Sequence, residues 1–420
     1  MSATDPVRSI TDETHDHPVL SDLDETLRRL AVLPVAADTP YLTAYLDWRP
    51  DQNTPHVRQA ATEAANAAAE IVANEEKRSA SLESLNADID AITDAMSTEL
   101  DPAAQGVLVV SNSGRGVFEF LQLGVPVETQ VCAAPIPALK RLAQLVEDYP
   151  LHALLQADQD TAILSFVTED LVSDSVTVRS SLYPRKQAAG GWSQRRFQAR
   201  ADERVQAVAK TVAEETRKAL EETGCRRLII AASDVMEPAL MEAFHQSVSE
   251  KIIGSIKIDI DAPFNEVLEK ARPIGVDFER QREAEQVANL LDAIPSGNGV
   301  GGTVDVLNAL RNGQVHRLLM TRRYEAAGWI DPEMQVFGIG DIPAEHPAGG
   351  DPAAMLPVAL EEEMIRQAVV GGAQLEVVKG SVPAAAETEI PDAGQNSPRK
   401  DAVQPLDDLG GVGAVLRFAI

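Results

Sequence analysis

Hydrophobic residues recur in two spacings along the chain, and segments with one spacing alternate with segments with the other. Short apolar or alternating runs predict β-strands at 41–48, 106–110, 116–120, 161–167, 175–180, 227–232, 256–260, 316–321, 374–378 and 412–418. Steps of three and four residues predict helices at 21–33, 56–98, 194–222, 237–250, 303–312 and 356–370, and two more that open at Pro137 and Pro273. This alternation predicts an α/β layer structure with at least part of the sheet parallel.

The same pattern divides the chain into four parts. We expect a flexible leader at 1–38, an N-terminal α/β domain at 39–150 and a middle domain at 151–273. A C-terminal α/β/α domain at 274–420 completes the chain, with a flexible loop at 380–408 that is rich in Pro, Ala, Glu and Asp. Within the N-terminal domain, Ser-Asn-Ser-Gly-Arg joins two short strands and predicts a β-hairpin.

Charge and composition exclude several classes of protein. The 420 residues include 37 basic and 65 acidic residues, a net charge of −28, which excludes a generic basic nucleic-acid coat protein. A hydrophobic content of 44% excludes wholesale disorder. Because no run approaches 18 apolar residues and the first residues lack an apolar export core, we expect no membrane span and no export signal. Cys132 and Cys225 lie far apart, so the cytoplasm is the expected compartment.

Residues 183–204 interrupt this acidic chain. From Arg185 to Arg200 the segment has five basic residues and no acidic residue: Arg185, Lys186, Arg195, Arg196 and Arg200. Gly190 and Gly191 permit backbone shapes closed to other residues, and Ser193 is a candidate N-cap for the helix that follows. Since positive charge at a helix N-terminus opposes the macrodipole, a phosphate partner such as RNA is favoured over the alternative of a solvated loop.

The segment Gly190–Phe197 (Gly-Gly-Trp-Ser-Gln-Arg-Arg-Phe) resembles the Gly-Gly-Gln segment of archaeal and eukaryotic class-I peptide release factors. Gly190, Gly191, Ser193, Arg196 and Phe197 match it position by position. The ending Gly410–Phe418 is similar to the Gly-rich ending of the same superfamily, which also contains Pelota and the Vms-type peptidyl-tRNA hydrolases. On these residues the chain is identified as a bacterial release-factor-like member of that superfamily.

The resemblance implies a three-domain architecture with a ribonuclease-H-like middle domain that places the Gly-Gly loop in the peptidyl-transferase centre. There the loop would position the water that attacks the ester of peptidyl-tRNA. The implied catalytic segment comprises Gly190, Gly191, Trp192, Ser193 and Gln194, and the five basic residues would hold ribosomal RNA or tRNA phosphates. The implied partners are the ribosomal A site, peptidyl-tRNA or ribosomal RNA, and a translational GTPase, without a cofactor or metal.

Two departures from the family pattern shape the expected function. Trp192 stands where the family has the Gln of Gly-Gly-Gln, and Gln194 is the nearby glutamine, as in the Vms-type branch. Residues 40–150 contain neither of the family's stop-codon-reading motifs, Asn-Ile-Lys-Ser and Tyr-x-Cys-x-x-x-Phe. We therefore expect release, rescue or quality control through peptidyl-tRNA hydrolysis. The alternatives are a ribosome hibernation factor that occupies the A site without hydrolysis and, more weakly, a nuclease acting on the tRNA acceptor end.

Other chemistry-bearing residues fit structural roles better. The run Gly297–Gly302 precedes a helix but lacks the Lys-Ser/Thr of a phosphate loop. A two-metal nuclease would use acids at strand ends, and this chain has four such acids that also suit ordinary turns. They are Asp158, Asp160, Asp259 and Asp261. The histidines His152, His245 and His316 do not have metal-ligand spacing.

Overall fold

The structure is a computed structural model of the whole chain. It describes residues 8–9, 23–49, 59, 61–63, 65–66, 75–102, 104–158, 161–168, 171–179, 194–258, 262–379 and 403–418. For 8–9, 75–77, 171–179 and 194–202 the description covers the backbone.

The elements occur in an order that mixes strands and helices throughout. The helices are α1 (Leu23–Ala31), α2 (Glu75–Thr98), α3 (Lys140–Asp148), α4 (Gln194–Glu222), α5 (Met236–Ala243), α6 (Gln246–Ser249), α7 (Phe264–Ala293), α8 (Thr303–Arg311), α9 (Leu360–Val370) and α10 (Gln404–Asp408). The first strands are β1 (Arg8–Ser9), β2 (Tyr41–Asp47), β3 (Gly106–Asn112), β4 (Val117–Leu123), β5 (Gln130–Ala134), β6 (His152–Ala157), β7 (Thr161–Thr168), β8 (Leu171–Arg179) and β9 (Leu228–Ala232). The later strands are β10 (Ile252–Lys257), β11 (Gly299–Gly301), β12 (Val315–Thr321), β13 (Ala327–Asp331), β14 (Val336–Ile339), β15 (Leu356–Ala359), β16 (Gln374–Val378) and β17 (Val412–Leu416). The predicted α/β class is confirmed.

Contacts divide the chain into two compact units. The first unit contains Tyr149–Gln281 together with Met1–His17, and the second contains Pro18–Asp148 together with Arg282–Ile420. Within the predicted leader, α1 buries Leu23, Leu27 and Leu30 in the second unit. The boundaries at 38, 150 and 273 stay predictions.

The first unit is built on a six-stranded sheet in the order β1-β8-β7-β6-β9-β10. Strands β6, β9 and β10 are parallel, whereas β7 and β8 run antiparallel to their neighbours. Alternate residues of β9 point to opposite faces, as in any strand. Leu228 and Ile230 pack in the same core as Val208 and Val212 of α4. On the opposite face, Ile229 packs with Val267 of α7. The first unit is therefore a sheet with helices on both faces.

The N-terminal part of the second unit is an antiparallel sheet in the order β4-β3-β2-β5. Leu42, Ala44 and Leu46 of β2 form a core with three residues of α2, which are Leu85, Ile89 and Ile92. The predicted β-hairpin is confirmed, since β3 pairs with β4 from Asn112↔Val117 to Gly106↔Leu123. Of the helix predicted at 56–98, residues 59, 61–63 and 65–66 are also helical.

The C-terminal part of the second unit contains two further sheets. The first has the order β11-β17-β12-β16, in which β12 runs parallel to β16 and antiparallel to β17. The second is an antiparallel sheet in the order β14-β13-β15, which the sequence pattern did not predict. Strand β15 occupies the first residues of the helix predicted at 356–370, so α9 begins only at Leu360. The partners of β15 are 26 to 32 residues away in sequence, and local periodicity carries no signal for such pairing.

Pro273 does not open a helix as predicted, but lies inside the 30-residue helix α7. A proline in a helix interior removes one backbone hydrogen bond and costs about 3 kcal/mol. Val267, Leu268 and Ala271 are buried before it, and Val287 and Leu290 are buried after it. Packing of Leu268, Ala271 and Ile274 in one core of the first unit, on both sides of Pro273, offsets this cost.

Candidate functional site

The predicted catalytic and RNA-binding residues come after strand β8 and include the start of α4 in the sequence. Arg185, Lys186, Gly190, Gly191, Trp192 and Ser193 lie outside the described residues. The backbone of Gln194, Arg195, Arg196 and Arg200 is described, and it forms the first two turns of α4. The structure thus places Gln194 as the first residue of this helix and leaves the side-chain geometry of the predicted site untested.

Two ordered elements flank the segment that carries Gly190 and Gly191. Strand β8 ends at Arg179, which pairs with Thr161 of β7, and α4 begins at Gln194. Helix α4 has 29 residues and is therefore about 43 Å long. Val205, Val208 and Val212 are buried along one side of it, at the three- and four-residue steps seen in the sequence. The predicted helix at 194–222 is confirmed, and its packed part fixes the direction in which its N-terminal turns run.

Charge is distributed unevenly along α4. Near its C-terminal end Arg217 lies 2.8 Å from Glu214 and 2.7 Å from Glu221, and Lys218 lies 2.9 Å from Glu215. Hydrogen bonds from Arg217 lower the pKa of Glu214, and those with both glutamates raise the pKa of Arg217. Toward the other end the first acidic residue is Asp202. The basic residues near the C-terminal end are therefore paired with glutamates, whereas the first two turns carry three arginines and no acidic residue.

A small cavity of about 60 Å³ opens at the carboxyl ends of the parallel strands β6 and β9. Its lining residues are Gln156, Ala157, Asp158, Thr161, Ile163, Ser233 and Ile258. Asp158 Oδ1 accepts a hydrogen bond of 2.7 Å from the Thr161 amide, so this carboxylate serves the turn into β7. Asp160, Asp259 and Asp261 lie outside the described residues. Within the described ranges, no group of three or more His, Cys, Asp or Glu side chains is arranged to hold a metal ion.

The glycine-rich ending has a structural explanation. Gly410 and Gly411 adopt φ angles of +88° and +81°, which L-residues rarely occupy. Gly411 accepts a hydrogen bond of 2.8 Å from the Thr321 amide, and Gly413 leaves no room for a side chain beside Leu290. Arg417 donates a hydrogen bond of 2.6 Å to the Gly371 carbonyl just after α9. These residues therefore begin and end β17, an interior strand of the C-terminal sheet, and bind the end of α9.

The run Gly297–Gly302 is likewise built into the C-terminal sheet. Gly299 and Gly301 pair with Val415 and Gly413, and a Cβ at Gly301 would lie 2.9 Å from the Leu409 side chain. Two of the histidines named in the sequence analysis also lie in local structural settings. Burial lowers the pKa of His152, and His245 accepts a hydrogen bond from the Ser247 amide at the start of α6.

Sequence reasoning missed the buried polar groups of the second unit. Glu361, Glu362 and Glu363 are consecutive and are each at most 8% exposed. Asp331 and His346 are also buried and lie 2.9 Å apart. A charged residue in an otherwise polar stretch of sequence is normally assigned to the surface, so composition and periodicity do not indicate such burial.

A helix that crosses a bilayer needs about 20 consecutive, mainly apolar residues. Among the described helices, none combines 18 residues with enough apolar character to cross a membrane.

A known family model matches a part of the chain that lies mostly in the first unit. The model of bacterial archaeo-eukaryotic release factor family 10 matches residues 137–275. Peptide chain release factor subunit 1 of Thermococcus kodakarensis is 24% identical over 305 residues, which are 66% of this chain and 69% of that protein. The corresponding protein of Methanocaldococcus jannaschii is 25% identical over 264 residues. These residues are 56% of this chain and 61% of the Methanocaldococcus jannaschii protein. Among solved structures, Saccharomyces cerevisiae Dom34, a translation termination-like factor, has a TM-score of 0.40 at 13% identity and covers 75% of this chain and 81% of its own.

Proposed function

Because this chain belongs to the archaeo-eukaryotic release factor superfamily, we propose that it is a translation factor that acts on the ribosome and hydrolyses peptidyl-tRNA. The observation that carries this proposal is the family match at 137–275, which contains the Gly190–Gly191 segment and the packed part of α4. The activity serves release, rescue or quality control of nascent chains. Since the motifs that read stop codons are absent from 40–150, a stalled ribosome suits this chain better than a stop codon.

In this proposal the loop acts by positioning rather than by strong acid–base chemistry. A water attacks the carbonyl carbon of the ester, the bond to the ribose oxygen breaks, and the proton passes to that oxygen. The Gln194 amide, or the backbone N–H groups near Trp192, orients the water and stabilises the oxyanion. Gly190 and Gly191 let the backbone approach the ester closely.

The basic residues supply the affinity for RNA. Arg185, Lys186, Arg195, Arg196 and Arg200 contact phosphates of ribosomal RNA or of the tRNA acceptor stem. Trp192 stacks on a base, a contact worth about 1–3 kcal/mol. The scaffold supports this arrangement because α4 is packed from Val205 onward and its local ion pairs lie at the far end. A translational GTPase is the proposed delivery partner, and the ribosome-containing cytoplasm is the proposed compartment.

The test measures release of labelled peptide from stalled ribosomes or isolated large subunits carrying peptidyl-tRNA. We expect Gly191→Ala and Gln194→Ala to slow release about a hundredfold or more, the effect of losing a positioned oxyanion donor. Gln206→Ala, on the same helix but beyond the basic turns, is the matched control and keeps the wild-type rate. Unchanged rates in both Gly191→Ala and Gln194→Ala exclude the hydrolytic proposal.

A non-catalytic role is the second candidate, and Trp192 in place of the family's glutamine favours it. A hibernation factor would occupy the A site of vacant ribosomes and release no peptide. Sedimentation with ribosomes from growing and from starved cells separates the two functions. Co-sedimentation that increases on starvation, together with no peptide release by the wild type, supports hibernation and contradicts hydrolysis.

A further inference from the structure

Helix α3 begins without a capping residue of its own. Its first turn starts at Lys140 after Pro137, Ala138 and Leu139, and none of these three side chains can accept a hydrogen bond. The first amides of any helix need acceptors from outside the helix. Here the acceptor comes from far away in sequence, because Glu362 Oε2 accepts from the amides of Leu139 at 2.5 Å and of Lys140 at 2.7 Å.

The contact is reciprocal. Lys140 Nζ donates a hydrogen bond of 2.6 Å to the Tyr324 carbonyl, so each partner supplies one side chain to the other's backbone. Leu139 and Lys140 belong to the N-terminal part of the second unit, whereas Tyr324 and Glu362 belong to its C-terminal part. Lys140 and Glu362 are each 8% exposed and Leu139 is fully buried. The two parts of the second unit, which the first unit separates in sequence, are therefore joined through a water-excluded polar contact.

The groups around the Glu362 carboxyl leave its charge poorly compensated. Tyr45 of β2 donates to the Ala138 carbonyl at 2.6 Å, and burial raises the pKa of Tyr45 and that of Cys132 of β5, so both stay neutral. Glu361, the neighbour on α9, adds negative charge. Lys140 is the nearby cation, but its ammonium is directed to the Tyr324 carbonyl. The positive charge of Arg141 of α3 opposes the rise in the pKa of Tyr45.

Burial therefore outweighs the two amide hydrogen bonds at this site. It raises the pKa of Glu362 from 4.5 to about 7, although the Leu139 and Lys140 amides oppose the shift. Were α3 to part from α9, water would reach the carboxyl and its pKa would return toward the ordinary value. Between about pH 4.5 and 7, the Glu362 carboxyl therefore binds a proton more tightly when α3 and α9 are in contact (closed) than when they are apart (open).

We propose that Glu362 is a proton-linked latch between α3 and α9, closed when its carboxyl is protonated and loosened when the carboxyl ionises. The latch joins the N-terminal and C-terminal parts of the second unit and is independent of the Gly190–Gly191 loop. Its direction follows from linkage, since the state that binds the proton more tightly is favoured at low pH and loses that advantage as the pH rises to about 7.

The test is hydrogen exchange of the full chain, read by mass spectrometry for peptides covering 138–148, at pH 5.5 and pH 8 after correction for intrinsic exchange. In the wild type we expect protection to fall about tenfold or more at the higher pH, since each unit of pKa shift corresponds to a tenfold change. Glu362→Gln keeps an acceptor that cannot ionise, so its protection should fall much less between the two pH values than that of the wild type. Glu362→Leu removes the acceptor and should lose protection at both.

Asp351→Asn is the matched control, because Asp351 accepts from the Ala353 amide in an exposed turn of the same unit. This variant should keep the wild-type difference between the two pH values. The latch is overturned if Glu362→Gln shows the wild-type pH dependence, or if the wild type shows equal protection at both pH values. Loss of protection confined to 138–148 and 360–370 in Glu362→Leu distinguishes latch opening from global unfolding.

Discussion

At the scale of single residues, the second unit depends on side chains that fit one another in its small antiparallel sheet. Trp329 of β13 is 5% exposed, and its indole lies where a side chain at Gly338 of β14 would have to be. The indole also packs against the ring of His346, which lies edge-on to it with the two ring centroids 6.1 Å apart. His346 Nε2 lies 2.9 Å from Asp331 Oδ2. Glycine at 338 is therefore a requirement of packing rather than of backbone conformation.

We expect Gly338→Ala to destabilise the second unit by about 1–3 kcal/mol, because the added methyl group must displace a rigid indole in a filled core. Urea unfolding followed by tryptophan fluorescence measures the loss. Glu333→Ala in the exposed turn between β13 and β14 is the control and should change stability by about 0.5 kcal/mol or less. Equal effects of the two substitutions would contradict the packing argument.

At the scale of elements, helix α2 holds the turn of the β3–β4 hairpin through one buried carboxylate. Asp88 Oδ1 accepts from Ser111 Oγ at 2.7 Å, from the Ser113 amide at 2.6 Å and from Ser113 Oγ at 2.5 Å. Ser84 accepts from the Gly114 amide at 3.0 Å, so a second residue of α2 binds the same turn. The turn residues predict the hairpin, but the helix determines how rigidly it is held.

We expect Asp88→Ala to cost about 3 kcal/mol, since three donors lose their buried acceptor. Asp88→Asn keeps an acceptor oxygen and should cost roughly half as much. Thermal unfolding of the two variants measures both effects, and Asp94→Ala on the exposed side of α2 serves as the control. A stability loss in Asp94→Ala equal to that in Asp88→Ala would show that helix propensity, and not the turn contact, is responsible.

At the scale of the whole molecule, charge is distributed unevenly and part of it is buried. Acidic and basic residues nearly balance between 149 and 281, so most of the net charge of −28 belongs to the rest of the chain. In the second unit Arg282 of α7 lies 2.6 Å from Glu147 and 2.7 Å from Glu376, which brings three distant segments together. Beside this group, burial raises the pKa of Glu283 from 4.5 to about 7, although Lys379 and Arg282 oppose the shift.

The raised pKa of Glu283 predicts a pH dependence of stability with a definite sign. The folded state binds the proton more tightly than the unfolded state, so the stabilisation from protonation is full below about pH 4.5 and is lost as the pH rises to about 7. Glu283→Gln should remove this contribution, which is up to about 3 kcal/mol by linkage. The measurement is urea unfolding at pH 5 and pH 7.5.

The expected result is a smaller loss of unfolding free energy between these pH values in Glu283→Gln than in the wild type. Glu285→Gln, which alters an exposed residue of the same helix, should keep the wild-type loss. An unchanged loss in Glu283→Gln would mean that Glu283 ionises normally in the folded chain.

Local patterns determined the classes and positions of many elements. The apolar steps in 194–222 predicted α4 from Gln194 to Glu222, and alternation with turn residues predicted the β3–β4 hairpin. The resemblance of Gly190–Phe197 to the release factors also came from adjacent residues, and the family match at 137–275 agrees with it. These signals are local because helices, turns and close-packed loops are specified by residues a few positions apart.

The tertiary structure alone decided the continuity of α7 through Pro273, the pairing of β15 with β13, and the burial of Asp88, Glu283 and Glu362. Each of these features depends on partners that are remote in sequence. Glu362, for example, accepts a hydrogen bond from the Lys140 amide, which is 222 residues away. Sequence spacing carries no information about such contacts, because the free energy that favours them comes from burial and hydrogen bonding in the assembled core.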